Sequence, residues 1–425
     1  VKTIDKHNKN YALLQVACVA VLWAASLFET GVDFFCNIFG ITSFMLAAAG
    51  LVGLLIIEFF VFDDLNIKFG QAEQIKKALL LVILIYIALS FLGIAWSPLP
   101  GAACQKSLRI LWFFVLSMSS ILVLQKFSST FALRVLGGSG VFSLLALLLF
   151  VFSSGNRARN WSANSISVFA DYNIFYLHLI ISVLMSIALL NQLLKKKIWL
   201  VHLAVFGSYG LLTFMLLFSG SRRGIIFYCI PILVIAVISL LRARRFLIPL
   251  TAVIVLVTLA LSVLLPTLNN SYKFTTVQRI LISVRQEGLI GIIGGRMERI
   301  EWAADYINEF SVFQLIFGAG TKAYTALFGK GNHPHNFYLN AFIEGGLLKS
   351  TLVIILYLLF IVLGFISARR HLFYEQVLIF SVPIMFMLNI SISGEDGLLL
   401  KLFWLLLVYF WFACNRDSEV LEVTE

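Results

Sequence analysis

The sequence predicts an all-α fold, a polytopic transmembrane helical bundle of about twelve spans with one large loop late in the chain. Three observations predict it. Hydrophobic residues make up 60% of the 425 positions and charged residues only 12%, with a mean hydropathy of +0.97; a soluble chain carries about 25% charged residues. Apolar runs of about 20 residues recur along the whole length, enough to cross a bilayer as helix. Those runs are continuous rather than alternating, and backbone in lipid must satisfy itself, so helices are favoured over a barrel.

The spans are expected at about 11–28, 39–62, 78–96, 107–125, 131–153, 174–193, 198–218, 225–241, 246–266, 346–366, 374–392 and 398–414. Residues 1–266 thus hold the first nine spans. Residues 267–336 form a loop with an amphipathic helix, and 337–425 hold a re-entrant segment and the last three spans. The first apolar stretch reads as a retained span rather than a cleaved leader, because no small-x-small site precedes a soluble region.

Lys and Arg in the short loops set the orientation. Lys2, Lys6, Lys9, Lys68, Lys76, Lys77, Lys126, Lys195, Lys196, Lys197, Arg242, Arg244, Arg245, Arg369, Arg370 and Arg416 share one side. That side is read as cytoplasmic, with both termini on it, and the large loop as outward. The net charge of +11 is then mostly a topology signal. It does not argue for nucleic acid, because the basic clusters are short and separate.

Arginines on the outward side break this pattern. Arg157 and Arg159 lie in the loop of about 154–173, and Arg222 and Arg223 in the turn Ser219-Gly220-Ser221-Arg222-Arg223-Gly224. Arg279, Arg285, Arg296 and Arg299 follow in the long loop. A short turn carrying two arginines on the wrong side reads either as a pair snorkelling to headgroups or as an anion site, since a guanidinium binds phosphate through a bidentate fork. In the long loop, Gly294-Gly295-Arg296 opens a helical pattern. Met297, Ile300, Ala304, Ile307 and Phe310 recur at three- and four-residue steps. The spacing predicts a helix lying on the membrane or capping the bundle, with Arg296 at its start, where backbone N–H groups favour anions.

Beyond Phe317-Gly318-Ala319-Gly320-Thr321 the chain turns back at His333-Pro334-His335-Asn336, two of six histidines at the mouth of a span. Titratable groups at such a place are expensive unless used. Glu344 starts the return into lipid and is expected to pair with an arginine, to orient His335, or to pack between helices.

These residues resemble the O-antigen ligase and Wzy-type polymerase superfamily of bacterial membrane glycosyltransferases. Three blocks carry the resemblance: Ser221-Arg222-Arg223-Gly224; Gly295-Arg296 followed by Trp302; and His335-Asn336-x-x-Leu339 followed by Glu344-Gly345. The resemblance implies a GT-C-type fold and an undecaprenyl-pyrophosphate-linked glycan donor on the periplasmic face of the inner membrane. The acceptor is a sugar hydroxyl, of lipid A-core in a ligase or of another lipid-linked repeat unit in a polymerase. It implies pyrophosphate binding by Arg222 or Arg223 and by Arg296, and His335 as catalytic base. Asn336, His333, Arg157, Arg159 and Glu344 are candidates for support.

The chemistry asked of such residues is simple. A glycosyl pyrophosphate already has an activated leaving group. Arginines stabilise its growing charge in a site of low dielectric, and a histidine can take the acceptor proton at neutral pH. The scheme needs no metal and no cofactor. Glu29 and Asp33 are an acidic pair in the first outer loop without an Asp-x-Asp companion, and Asp63-Asp64 reads as a solvated loop. His178 and His202 read as hydrogen-bonded packing residues within spans, and Glu58 and Lys349 as snorkelling near span ends. The five cysteines suggest no disulfide framework. The competing class is a polysaccharide or anion transporter, which would favour polar sites at mid-membrane and related halves; neither is evident.

Overall fold

Apolar runs that must close their hydrogen bonds within themselves do so as helices in the computed structural model of the chain. The structure describes residues 6–26, 43–62, 67–153, 172–195, 197–219, 222–241, 296–328, 336–368, 371–392 and 401–415, and no strand occurs among them. The helices are α1 (Lys6–Ser26), α2 (Ser43–Phe62), α3 (Glu73–Leu92), α4 (Pro100–Leu124), α5 (Ser129–Ser153), α6 (Tyr172–Leu193) and α7 (Ile198–Ser219). They continue as α8 (Arg222–Leu241), α9 (Arg296–Asn308), α10 (Val312–Phe317), α11 (Ala323–Phe328), α12 (Phe337–Ala368), α13 (Phe373–Ile392) and α14 (Lys401–Ala413). Eleven expected spans fall on these helices; the one at 246–266 lies outside the described residues.

Among the described residues, four helices are long and apolar enough to cross a membrane: Glu73–Leu92, Pro100–Leu124, Tyr176–Leu193 and Phe337–Ala368. Seven shorter apolar helices accompany them among the described residues. The protein is a helical membrane protein, and its surface carries the signature. On α12, Leu347, Leu348, Ile354, Ile355, Leu358, Val362, Phe365 and Ile366 are exposed at three- and four-residue steps, while Val353, Leu356, Tyr357, Phe360 and Leu363 are buried. An apolar exposed stripe backed by an apolar buried one suits lipid on one side and protein on the other.

The core centres on α14. Every residue from Leu402 to Ala413 is buried, so this helix is apolar all round and surrounded by protein. Phe403 meets Tyr357, Phe360 and Phe386, and Trp404 meets Phe114. Gly137 and Gly140 lie against Leu189 and Met185, bringing α5 and α6 close. Residues α4 begins with suit a helix start, with Pro100 at its first position.

Hydrogen bonds tie each end of the bundle separately. At one end Lys76 Nζ donates to Asn415 Oδ1 (2.6 Å) and to the Phe69 carbonyl (2.7 Å), and lies 4.9 Å from the Trp411 ring. Lys76 is fully buried, so it is a structural anchor rather than the surface lysine that loop counting suggests. Nearby, His371 bridges Glu375 Oε2 and the Ala413 carbonyl, both at 2.8 Å. His202 is bonded to Tyr374, a packing role as expected. The opposite end joins Ser90 and Gly93 of the α3 exit to Thr321 and to the start of α12.

Candidate functional site

Asn336 opens α12. Its Oδ1 accepts a hydrogen bond from the Leu339 N–H at 3.1 Å, satisfying one of the donors that a helix start leaves unpaired. The helix runs from Phe337 only to Gly345, because Gly346 takes φ 62 and ψ −158. A positive φ of this kind suits glycine and strains other residues. The return segment and the following span are thus two helices joined at the position where the span was expected to begin.

The break holds a second strand of backbone. Ala319 N–H donates to the Ile343 carbonyl at 2.8 Å. A Cβ on Gly318 would lie 2.3 Å from Gly345 N, and one on Gly346 would lie 2.4 Å from the Ile316 carbonyl carbon. The two backbones touch, and two glycines make the approach sterically permissible. The same segment is bonded to α3: Thr321 N–H donates to the Gly93 carbonyl (3.2 Å) and Thr321 Oγ1 to the Ser90 carbonyl (3.0 Å). Ser97 Oγ donates to the Thr321 carbonyl. Residues 318–321 therefore clamp the start of α12 to the exit of α3.

Beneath the clamp lies a buried ion cluster. Lys106 Nζ of α4 is 2.6 Å from Glu344 Oε2, and Lys349 Nζ is 3.5 Å from the same oxygen. All three side chains are 3% exposed or less, and the Lys349 ammonium sits 4.8 Å from the Tyr86 ring centroid. Lys322 adds positive charge at longer range. Water cannot screen these charges, so the cluster fixes α3, α4 and α12 against each other. Of the readings of Glu344, the one that packs it between helices holds, with lysines and not an arginine as its partners. Lys349 corrects an expectation, because it is buried rather than snorkelling at a span end.

A small satellite core supports the same end. Ala303, Ala323, Tyr324 and Ile343 are buried together, with Tyr306, Ile307, Phe310, Ala319 and Leu339 packed around them. Ile307 and Phe310 of the expected apolar face pack against this core, but Ala304 is exposed and Ala303 and Tyr306 face inward in its place. Burial, and after it the Glu309 carboxylate, push the Tyr306 phenol pKa up. Phe310 stacks on Phe342, which seats the end of α9 over the return segment.

The sequence-predicted site residues fall as follows. Arg222 and Arg223 are the first two residues of α8, and Arg296 is the first of α9, so both helix starts carry arginine. The placement of their side chains lies outside the described residues, as do His333, His335, Arg157, Arg159, Glu29, Asp33, Asp63 and Asp64. His335 immediately precedes the capping Asn336. His202, near the start of α7, is bonded to Tyr374 at the Lys76 end. The 22 residues of α7 rise roughly 33 Å, so the following α8 starts at the far end, the one holding Glu344. Topology thus gives Arg222 and Asn336 the same end of the bundle. Among the described residues, no group of three or more His, Cys, Asp and Glu is placed to hold a metal ion.

Residues 207–354 match the O-antigen ligase family. The resemblance read from the three sequence blocks is thereby shown for this stretch, which includes α8, α9, the clamp residues 318–321, Glu344 and Lys349. No curated protein matches the chain. The O-antigen ligase match begins inside α7 and ends just past Lys349, so it takes in both lysine-paired and arginine-bearing elements but not Lys106. Lys106 is the partner that sequence reasoning missed. One signal pointed to it: a lysine at the edge of the loop of about 97–106, which is expected to face outward, against the charge rule.

Proposed function

We propose that the protein is an inverting, metal-independent membrane glycosyltransferase. It moves a glycan from an undecaprenyl-pyrophosphate donor to a sugar hydroxyl on the periplasmic face of the bacterial inner membrane, and acts as an O-antigen ligase with lipid A-core as acceptor. The observation that carries this reading is the O-antigen ligase family match over 207–354, a stretch that includes Arg222, Arg223, Arg296, His335 and Glu344. Twelve spans with cytoplasmic termini, a GT-C-like bundle and a periplasmic 267–336 loop belong to the same proposal.

In this reading Arg222 or Arg223, together with Arg296, holds the pyrophosphate at two helix starts, where backbone N–H groups add to the attraction. The acceptor oxygen attacks the anomeric carbon from the face opposite the pyrophosphate. His335 takes the hydroxyl proton as the new C–O bond forms. The bond to the pyrophosphate oxygen breaks, the anomeric centre inverts, and undecaprenyl pyrophosphate stays in the membrane. The arginines stabilise the charge that gathers on the leaving group. The cap on Asn336 and the Glu344 cluster hold the segment that carries His335.

Complementation tests the reading. Expression in a bacterial strain lacking its O-antigen ligase should restore long-chain lipopolysaccharide and clear the accumulated lipid-linked polymer. Rescue only of a polymerase-deficient strain, which otherwise makes lipopolysaccharide with one repeat unit, would reassign the acceptor to a lipid-linked repeat unit. Rescue of neither strain, with solute uptake restored in transport assays, would overturn glycosyl transfer.

A further inference from the structure

The six residues of α10, Val312–Phe317, include no buried side chain. Val312 is 74% exposed and Phe313 50%, and Leu315 and Ile316 are exposed as well. Four large apolar side chains in one turn and a half, open to the surroundings, are not what a loop in water presents. Nor is this an unfolded stretch. Ser311 Oγ accepts from the Gln314 N–H, and the Gln314 side chain accepts from the Ser311 N–H, a reciprocal cap that fixes the helix start.

The position of α10 supplies the partner. Its last turn lies against Gly346, close enough for a Cβ there to meet Ile316 at 2.4 Å. Residues 347–368 follow as a continuous helix, about 33 Å long at 1.5 Å per residue, which matches the hydrocarbon thickness of a bilayer. Gly346 therefore marks one boundary of the hydrocarbon. Leu347 and Leu348, the next two residues, are exposed, and they continue directly into the lipid-facing stripe of α12. Trp96, a residue type enriched at membrane boundaries, sits beside α10 with its ring edge-on to Phe313 at 5.4 Å and to Phe317 at 6.4 Å. The exposed apolar residues of α10 thus end beside the start of the exposed apolar stripe of α12.

We propose that α10 is an interfacial membrane helix: Val312, Phe313, Leu315 and Ile316 insert into the headgroup–acyl boundary at the Glu344 end of the bundle. The segment 267–336 is then not a wholly aqueous loop. It dips into the membrane at 312–317, and its clamp on α12 is seated at the lipid surface. The inference depends on α12 spanning the bilayer and not on glycosyl transfer.

Nitroxide labelling of the full chain, in a background lacking its native cysteines and reconstituted in phosphatidylethanolamine–phosphatidylglycerol vesicles, tests it. Power saturation is read for labels at Val312→Cys and, separately, Leu315→Cys. A label at Ile354→Cys serves as the lipid reference and one at Asp305→Cys as the water reference. The expected result is that oxygen outcompetes the nickel chelate at 312 or 315, giving a depth between the two references. Chelate accessibility equal to that at 305 for both labels would overturn the proposal in favour of an aqueous loop. Shielding of both labels from both reagents would overturn it in favour of protein cover, such as a second copy of the chain.

Discussion

Lys106 and Glu344 lie 238 positions apart in sequence and meet at 2.6 Å, both buried. The pair joins α4 to the return segment of α12, and Lys349 reaches the same carboxylate oxygen from 3.5 Å. Removing one partner of a buried pair leaves an uncompensated charge and costs about 3–5 kcal/mol, while replacing both with apolar groups costs far less. Lys106→Met should therefore lower the unfolding midpoint of the purified protein more than Lys349→Met, whose contact is longer. The double variant Lys106→Met with Glu344→Met should recover part of the loss. Thermal unfolding in detergent micelles checks the order. Equal midpoints for Lys106→Met and the parent would show that the pair contributes nothing to the fold.

The close approach at the helix break gives a second expectation. Gly346→Ala would force a Cβ to within 2.4 Å of Ile316 backbone at a φ of 62. Gly318→Ala would meet Gly345 N at 2.3 Å. Backbone cannot move aside cheaply, so each change should cost several kcal/mol by analogy with severe overpacking and strain, roughly 1–3 kcal/mol for each effect. Gly101→Ala, where a Cβ meets nothing within 4 Å, is the control and should be neutral. Midpoint shifts for the three variants, measured side by side, decide the point.

How much of this was legible in the sequence differs by range. The apolar helices were, since a run of apolar residues reports itself. So was a helix start near 337, because the polar residues up to Asn336 give way there to an apolar run. The α9 face was read nearly right, but Ala303 and Ala304 are equivalent to a periodicity argument, and only the packing against Ile343 selects one. The Ser311-x-x-Gln314 pattern carries a capping signal for the start of α10. Lys106 and Glu344 were not legible as a pair, because nothing local links residues 238 apart. Lys76 looked like any other loop lysine, and only Asn415 and Trp411, at the far end of the chain, make it a buried anchor.

Topology gives a third test. Under the proposed orientation, cysteines placed at Ser271 or Lys330 should react with an impermeant maleimide added from the periplasmic side, and one at Lys196 should not. Labelling of Lys196→Cys alone would reverse the orientation and move the substrate to the other face.

The arginines give a fourth. Replacing Arg296 with Ala should abolish transfer in the complementation assay. One of Arg222→Ala and Arg223→Ala should do the same, and the other should be milder. Lysine at the sensitive positions should rescue poorly, because it keeps the charge and loses the planar fork. Helix starts tolerate either residue, so expression should be unchanged. Full activity in Arg296→Lys would reduce that position to a point charge.

The last prediction separates chemistry from scaffold at 335 and 336. Asn336 caps α12 through its Oδ1, so Asn336→Ala should cost about 1 kcal/mol of stability, and Asn336→Asp or Asn336→Ser should restore it, since both cap well. Transfer should follow stability across that series if Asn336 acts through the cap. His335→Ala should behave differently. Loss of a base lowers turnover without removing the groups that hold pyrophosphate, so donor binding should persist while transfer falls by about 100-fold or more. Thermal stability should stay near the parent value. The measurement is donor affinity beside single-turnover transfer in reconstituted vesicles, run on His335→Ala and Asn336→Ala together. Near-parental transfer by His335→Ala would move the base elsewhere. His333 would be the next candidate, because Glu344 is already held by two lysines.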